Sequence, residues 1–440
     1  MKRLALSASV LLVWILLDSC ARNPVTGKNQ LMLMSKEQEI AMGQQSDPEV
    51  IAYFGLYDDK KLQDFMSRKG KEMAAISHRK DLPYEFKIVD SPVVNAFAIP
   101  GGYVYFTRGI MAHLNDEAAF AGVLGHEIGH IAARHSAKQY TNAMLGQIGL
   151  VAGSVISPEF AQFADVASTG LQLLFLKFGR DAERQSDKLG VEYSTKIGYD
   201  ATKMADFFST LDRISSKSGA DEVPTFLSTH PDPADRERTV AKLANDWKRK
   251  VKKPEYEVNR NEYLKLIDGI VYGEDPRQGY VENSVFYHPV LKFQFSVPPS
   301  WGLQNSPHQV QMAPTDGSAV IILTLAEGNS LQNAAQGVLS KYGLTVVDSR
   351  QENVNGLTAL VLIADQQSQQ QQQQQAAQTV RTMMYFIQYG GNIYNLIGAT
   401  SVANFNAYGQ LFQSVMGTFR ELTDSDKINK QPERVRVKTV

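Results

Sequence analysis

The sequence predicts an α+β protein of two domains, the first mainly helical with a small sheet and the second built on a largely antiparallel sheet. Three observations predict it. Helical patterning covers residues 37–78 and dominates again from Asn115 onward, with aromatic and β-branched runs between them at Glu85–Val89 and Asn95–Phe106. From Phe286 to Leu422 the texture inverts: strand-like runs at Lys292–Val297, Ala319–Leu325, Leu357–Ala364, Thr382–Tyr389 and Asn392–Thr400 accompany two helical stretches, about Ser330–Tyr342 and Asn404–Leu422. A charged segment, Lys248–Glu257, and the turn-rich Gly273–Gly279 separate the two textures. With 440 residues, 43% of them hydrophobic, the chain can bury cores of this number. Forty-five basic against forty-six acidic residues leave a formal charge of −1, so no overall field argues for nucleic acid or an anionic surface as partner.

Residues 1–19 have the layout of a secretory leader, with Lys2 and Arg3 before an apolar run, Leu4 to Leu17, that falls short of the about 20 residues of a bilayer span. Its end, Leu17-Asp18-Ser19-Cys20, resembles the bacterial lipobox, in which the cysteine is lipidated and becomes the first mature residue. An incidental thiol is the competing reading, but Cys20 is the only cysteine and sits where cleavage falls. Several acyl chains on one residue give the stable anchoring that a single chain does not. One cysteine forms no internal disulfide. Ala21 after it resembles lipoproteins sorted to the outer membrane, so the expected location is the bacterial envelope, lipid-anchored, with the domains facing the periplasm.

Residues 20–45 read as a connector with turns at Asn23-Pro24 and Thr26-Gly27, and helical patterning begins near Ser35. The first domain is expected over 46–253, a linker over 254–280, the second domain over 281–423 and a tail over 424–440. The apolar stretch Met144–Ile156 is cut by Ser157-Pro158-Glu159 well short of a span, and reads as a buried helix or apolar flap. The glutamine-rich run Gln366–Gln375 reads as a solvated loop between two strands.

The chemistry sits in His126-Glu127-Ile128-Gly129-His130, where two imidazoles four residues apart project from one face of a helix. Asn115 is expected to cap that helix, with Asp116 and Glu117 favourable in its first turn. Phe120, Val123, Leu124, Ile128 and Ile131 recur at helical spacing and would bury the face away from the metal. Zinc suits such a site, because two neutral imidazoles and one carboxylate leave a position for water, whose pKa the metal lowers to about 7. Glu127, beside a ligand, would take that water's proton as it attacks a peptide carbonyl and deliver it to the leaving amine.

A third ligand is required. In the segment Gly179–Asp187, Glu183 and Asp187 share a helical face; Glu183 would complete the triad for one zinc per chain, and Asp187 would accept the Nδ1 proton of His126. The competing reading is a charged helix surface, with Arg180 and Arg184 paired to the acids. Upstream, Asn95, Ala96, Phe97 and Ala98 lead into Ile99-Pro100-Gly101-Gly102, a strand that is either an edge to which extended substrate adds through main-chain hydrogen bonds or a plain core hairpin. His135 follows the motif by five residues and is expected to point away from the metal face, in a surface or structural role. His78, His113, His288 and His308 have no partner at ligand spacing.

Together, HEIGH, RxxExxxD at 180–187, NAFAIPGG before them and His230-Pro231 after them resemble the zinc metallopeptidase family of the CAAX prenyl endopeptidase, HtpX and BepA. CARNPVTGKNQLMLMS at 20–35 resembles its soluble, lipoprotein-type bacterial branch, and the resemblance covers roughly residues 20–250. It implies a gluzincin-type metalloendopeptidase domain that degrades damaged or misassembled envelope proteins. BepA-like members carry helical tetratricopeptide repeats after the protease, whereas this chain has a strand-rich domain, so their partners do not carry over. That second domain resembles the PsbP or Mog1-type α/β fold through Phe293–Trp301, which says little about function.

The family pattern pairs His230 with Arg236. Two roles stand open for His230: a donor to the tetrahedral intermediate, as thermolysin-like sites supply opposite the metal, or a fourth ligand that holds the enzyme latent. The alternative function is an envelope scaffold or holdase with structural zinc. Structural zinc favours four closed ligands and cysteine, which the chain lacks beyond Cys20.

Overall fold

The computed structural model describes residues 20–144, 177–218, 225–230, 235–366 and 379–438. The leader, the apolar stretch beyond Met144 and the glutamine run beyond Gln366 lie outside them, as does Pro231. The chain divides into two units: the first runs to Gly273 and regains the segment from Arg434, and the second holds Glu274–Glu433. Together they are α+β, as the sequence predicts.

The first unit opens on an antiparallel hairpin, β1 (Cys20–Arg22) and β2 (Asn29–Leu31), where a connector was expected. Asn23 makes its turn, accepting the N–H groups of Val25 and Thr26 on its side-chain oxygen. Ser35 then caps helix α1 (Lys36–Phe54) with a reciprocal capping box to Gln38. The predicted helical stretch 37–78 is two helices, because Gly55 at φ 74° ends α1 and Asp59 caps α2 (Lys60–Ala74). Burial of Glu39 and Gly43 brings the body of this unit forward of residue 46.

A three-stranded sheet follows, β3 (Glu85–Val89), β4 (Ala96–Ile99) and β5 (Tyr103–Thr107), in the order β3-β5-β4 with β4 antiparallel at one edge. Pro100-Gly101-Gly102 turns β4 into β5, with both glycines at positive φ; a Cβ on Gly101 would lie 2.6 Å from the carbonyl oxygen of Glu39. Among the described residues, this unit's further helices are α3 (Arg108–His113), α4 (Glu117–Ala132), α5 (His135–Met144), α6 (Arg180–Ile197), α7 (Lys203–Ser218), α8 (Thr225–Thr229), α9 (Arg236–Val251) and α10 (Arg260–Ile267). Helix α4 is the axis of the unit, with all 16 residues buried, the predicted apolar face and the motif face alike. Its cap is Asp116 and not Asn115: the extended Asp116 backbone lets its carboxylate accept the Ala119 N–H at 2.8 Å. The stretch read as a linker carries α10, whose Tyr263 and Ile267, four residues apart, are buried in this core. The tail returns here too, where the Val435 N–H donates to the carbonyl oxygen of Ile270.

The second unit holds an antiparallel sheet of seven strands in the order β12-β13-β14-β15-β11-β10-β9. Its strands are β9 (Gly302–Asn305), β10 (Gln309–Ala313), β11 (Ala319–Leu325), β12 (Leu344–Val354), β13 (Leu357–Gln366), β14 (Val380–Tyr389) and β15 (Asn392–Ser401). A smaller sheet pairs β6 (Tyr280–Glu282), β7 (Val285–His288), β8 (Phe293–Ser296) and β16 (Arg420–Glu421) in the order β16-β8-β7-β6. Helix α11 (Leu331–Tyr342) packs Ala334 and Ala335 on Val320 and Ile322 of one face, and α12 (Phe405–Met416) packs Phe412 and Met416 on Ile321 and Leu396 of the other. Helix α12 ends at Met416 under the Gly417 cap, short of the expected Leu422, since the next residues feed β16. The sequence reading missed β12 because most of this edge strand is exposed, with the polar run Asp348–Asn353 hiding the alternation that marks a half-buried strand.

Candidate metal centre

Close helix packing builds the site. Where α4 meets α6, glycines replace side chains: a Cβ on Gly125 would lie 2.9 Å from the Gly190 Cα, and one on Gly190 would lie 2.9 Å from the Gly122 carbonyl oxygen. Backbone against backbone, the two helices bring the acids of RxxExxxD onto the histidines of HEIGH. Donor atoms of His126, His130, Glu183 and His230 all lie within 4.8 Å of one another, and all four residues are buried. Glu183 Oε1 is 3.4 Å from His130 Nε2, and Glu183 Oε2 is 3.5 Å from His126 Nε2. His230 enters from the end of α8 with Nδ1 3.1 Å from Glu183 Oε1 and 3.3 Å from His126 Nε2, its ring stacked on Phe226.

Around this cluster the structure places a second layer. Asp187 Oδ1 is 2.9 Å from His126 Nδ1. Arg236, at the start of α9, donates from Nε and Nη2 to the two oxygens of Asp187 at 2.9 and 2.7 Å, lies 3.3 Å from Glu183 Oε2, and rests over the Phe208 ring. Burial pushes the Asp187 and Glu183 carboxyls up, but Arg236 and His126 for the first, and His230 with His130 for the second, outweigh it and leave both below the usual range. Burial likewise holds His130 well below the ordinary imidazole value, so it stays neutral, as a metal ligand must.

Glu127 is different. It is 0% exposed, neither carboxylate oxygen has a hydrogen-bond partner, and the nearest cation-capable group is His230, whose Nε2 is 3.8 Å from Oε1. Burial raises its pKa above the ordinary value. A buried carboxylate without a hydrogen bond costs about a few kcal/mol, and such groups concentrate at working sites. The donor set fits a metal on the same ground: three imidazoles and a carboxylate converge within 4.8 Å of one another beside this orphaned base.

His135 departs from the expectation of a surface position. Helix α4 stops at Ala132, Arg134 takes φ 62°, and His135 begins a new helix that folds back, leaving it 7% exposed with Nδ1 3.0 Å from His130 Nδ1. Counting five residues along one helix fails because the helix does not continue. Gln185 and Ser186, which complete the second layer, carry no local sequence signal, and Arg236 was paired with His230 only through the family resemblance. Asn95 and the β4 residues Ala96, Phe97 and Ala98, expected either to meet substrate or to form a core hairpin, lie at the sheet edge against α4; all four are buried, and the Ser136 hydroxyl donates to the Ala98 carbonyl oxygen at 3.3 Å.

Residues 60–244 match the model of peptidase family M48. The match bears out the metallopeptidase resemblance read from the motifs, and the M48 region takes in HEIGH, Glu183, Asp187, His230 and Arg236 together. The chain is 30% identical over 210 residues to the mitochondrial metalloendopeptidase OMA1 of Arabidopsis thaliana, covering 47% of this chain and 41% of that protein. It is 27% identical over 235 residues to the β-barrel assembly-enhancing protease of Yersinia pestis, covering 51% and 48%. The chain thus spans less than half the length of these relatives. The second unit lies outside the M48 region; the solved Ran-binding protein Mog1p of Saccharomyces cerevisiae aligns with 34% of the chain at 13% identity and a TM-score of 0.26.

Proposed function

We propose that the chain is a zinc metalloendopeptidase of the bacterial envelope, cutting extended or misfolded proteins, with one zinc held by His126, His130 and Glu183 and with Glu127 as general base. The observation that carries this reading is the orphaned, fully buried Glu127 carboxylate beside four converging metal donors. Zinc, when bound there, supplies Lewis acidity and a water acidic enough to ionise near neutral pH. Glu127, its basicity increased by burial, takes the proton of the attacking water and gives it to the amine of the scissile bond. Asp187 accepts the Nδ1 proton of His126 and so leaves Nε2 bare toward the cluster, while Arg236 keeps that carboxylate charged.

Substrate lies along β4, the sheet edge, in this reading. Its main chain takes over the Ala98 carbonyl that the Ser136 hydroxyl now holds, which selects for extended peptide and not for side chains. Cys20, at the head of the β1 hairpin, carries the lipid that holds the protein at the membrane, and no described helix is long and apolar enough to cross one. The β-barrel assembly-enhancing protease among the relatives supports an envelope setting. Zinc content and casein cleavage of Glu127→Gln beside the parent protein test the proposal. Glutamine keeps the shape and cannot take a proton, so zinc should remain stoichiometric and cleavage should vanish. Retained turnover would end the mechanism, and a parent protein without zinc would end the assignment.

A further inference from the structure

His126 has a carboxylate behind it, the arrangement commonly found behind a metal-ligating imidazole. His130 does not. Its Nε2 faces the cluster, 3.4 Å from Glu183 Oε1, and its Nδ1 faces His135 Nδ1 at 3.0 Å, nitrogen against nitrogen. Two imidazole nitrogens at this distance share one proton, and which ring owns it decides whether His130 can bind metal at all.

The second nitrogen of His135 answers the question. His135 Nε2 is 3.1 Å from Gln185 Oε1, an oxygen that only accepts. The proton of the neutral His135 ring therefore sits on Nε2, its Nδ1 is bare, and the proton between the rings belongs to His130 Nδ1. That leaves the lone pair of His130 on Nε2, toward Glu183 and His126. The Ser186 hydroxyl, 3.3 Å from the same His135 Nδ1, fits as a second donor to it.

We infer that His135 is a positioning residue for the ligand His130, fixing its tautomer and ring orientation as a neutral acceptor where His126 has Asp187. The backbone is built to deliver it. Arg134 holds the left-handed turn that folds His135 back, and its guanidinium is bound by the buried Glu39 carboxylate, which also pairs with Arg79 at 2.6 Å. Arg79 in turn donates to the Ile131 carbonyl oxygen at the end of the motif helix. Phe178, 4.1 Å from the His130 ring centre, walls the imidazole on another side.

The inference rests on the reading that this cluster binds zinc, and its test separates the two. Zinc affinity of the full chain is measured by chelator competition for the parent protein, His135→Phe, His135→Asn and Gln185→Leu, with the unfolding midpoint of each metal-free form. His135→Phe fills the space without accepting a proton and should lose about 10–100-fold in affinity. His135→Asn, whose Oδ1 accepts near the place of Nδ1, should recover most of that loss. Gln185→Leu, which leaves the ring in place but frees its proton, should lower affinity with the metal-free midpoint little changed, and it keeps the test open if His135→Phe does not fold. A parent protein that binds no zinc defeats the functional reading itself. Zinc binding by the parent with unchanged affinity in His135→Phe or Gln185→Leu, or equal losses in the Phe and Asn variants, overturns the role of His135.

Discussion

Replacing Gly190 by alanine should damage the candidate metal site without touching a proposed ligand. Gly190 lies in α6 against α4, and the added methyl would stand 2.9 Å from the Gly122 carbonyl oxygen and 3.0 Å from the His126 backbone nitrogen, where ordinary contact begins near 3.4 Å. Both neighbours are helix backbone and cannot swing aside, so the helices must part by about 0.5 Å at the level of His126. Zinc ligation tolerates only about 0.2 Å in its bond lengths, and Glu183 meets the histidines of the motif where α6 lies against α4. Overpacking of this kind costs about 1–3 kcal/mol, offset by about 1 kcal/mol of helix propensity gained on replacing glycine. The expected net loss of stability is therefore about 0–2 kcal/mol, with zinc affinity reduced about tenfold or more. Urea unfolding of the metal-free protein gives the first quantity and chelator competition the second. Gly337→Ala is the control, because nothing lies within 4 Å of its added methyl and α11 should gain up to about 1 kcal/mol. Zinc affinity in Gly190→Ala equal to that of the parent would refute a role for glycine packing in placing Glu183, the proposed third ligand.

Glu183→Ala should bind no zinc, whereas Asp187→Ala should keep it with affinity weakened about 10–100-fold; metal content by atomic absorption distinguishes a ligand from its support. His230→Ala discriminates between two roles: kcat falls about 10²–10³-fold if the side chain stabilises the transition state, and basal cleavage rises if it blocks the metal, while kinetics equal to the parent with zinc unchanged reject both. The pH dependence of stability has a separate test in Glu117, where burial raises the carboxyl but Lys69 at 2.8 Å and the Tyr199 hydroxyl outweigh it, leaving the pKa below its ordinary 4.5. A depressed folded-state pKa contributes stability that is present above about 4.5 and lost as pH falls through the folded value, so Glu117→Gln should flatten the acid limb of the unfolding profile; an unchanged limb would show that this ion pair does not carry it.

Local regularities were legible in the sequence. HEIGH and RxxExxxD reveal their faces because residues four apart on a helix meet on one side, whatever the helix packs against. Glu85–Val89 and Ala319–Leu325 coincide with strands because their β-branched and aromatic residues fill buried pleats. Extrapolation failed where local pattern met an interruption or an exposed edge: His135 was projected along a helix that Arg134 ends, and β12 was hidden by its polar side chains. Tertiary structure alone decided what stands behind Asp187 and behind His135. Arg236 reaches Asp187 across 49 residues and Gln185 reaches His135 across 50, separations over which sequence spacing carries no geometry. It also decided why the motifs meet. Gly122, Gly125 and Gly190 look like weak points for a helix when read singly, and only the backbone contact between α4 and α6 shows that the missing side chains are what lets Glu183 stand beside His126 and His130.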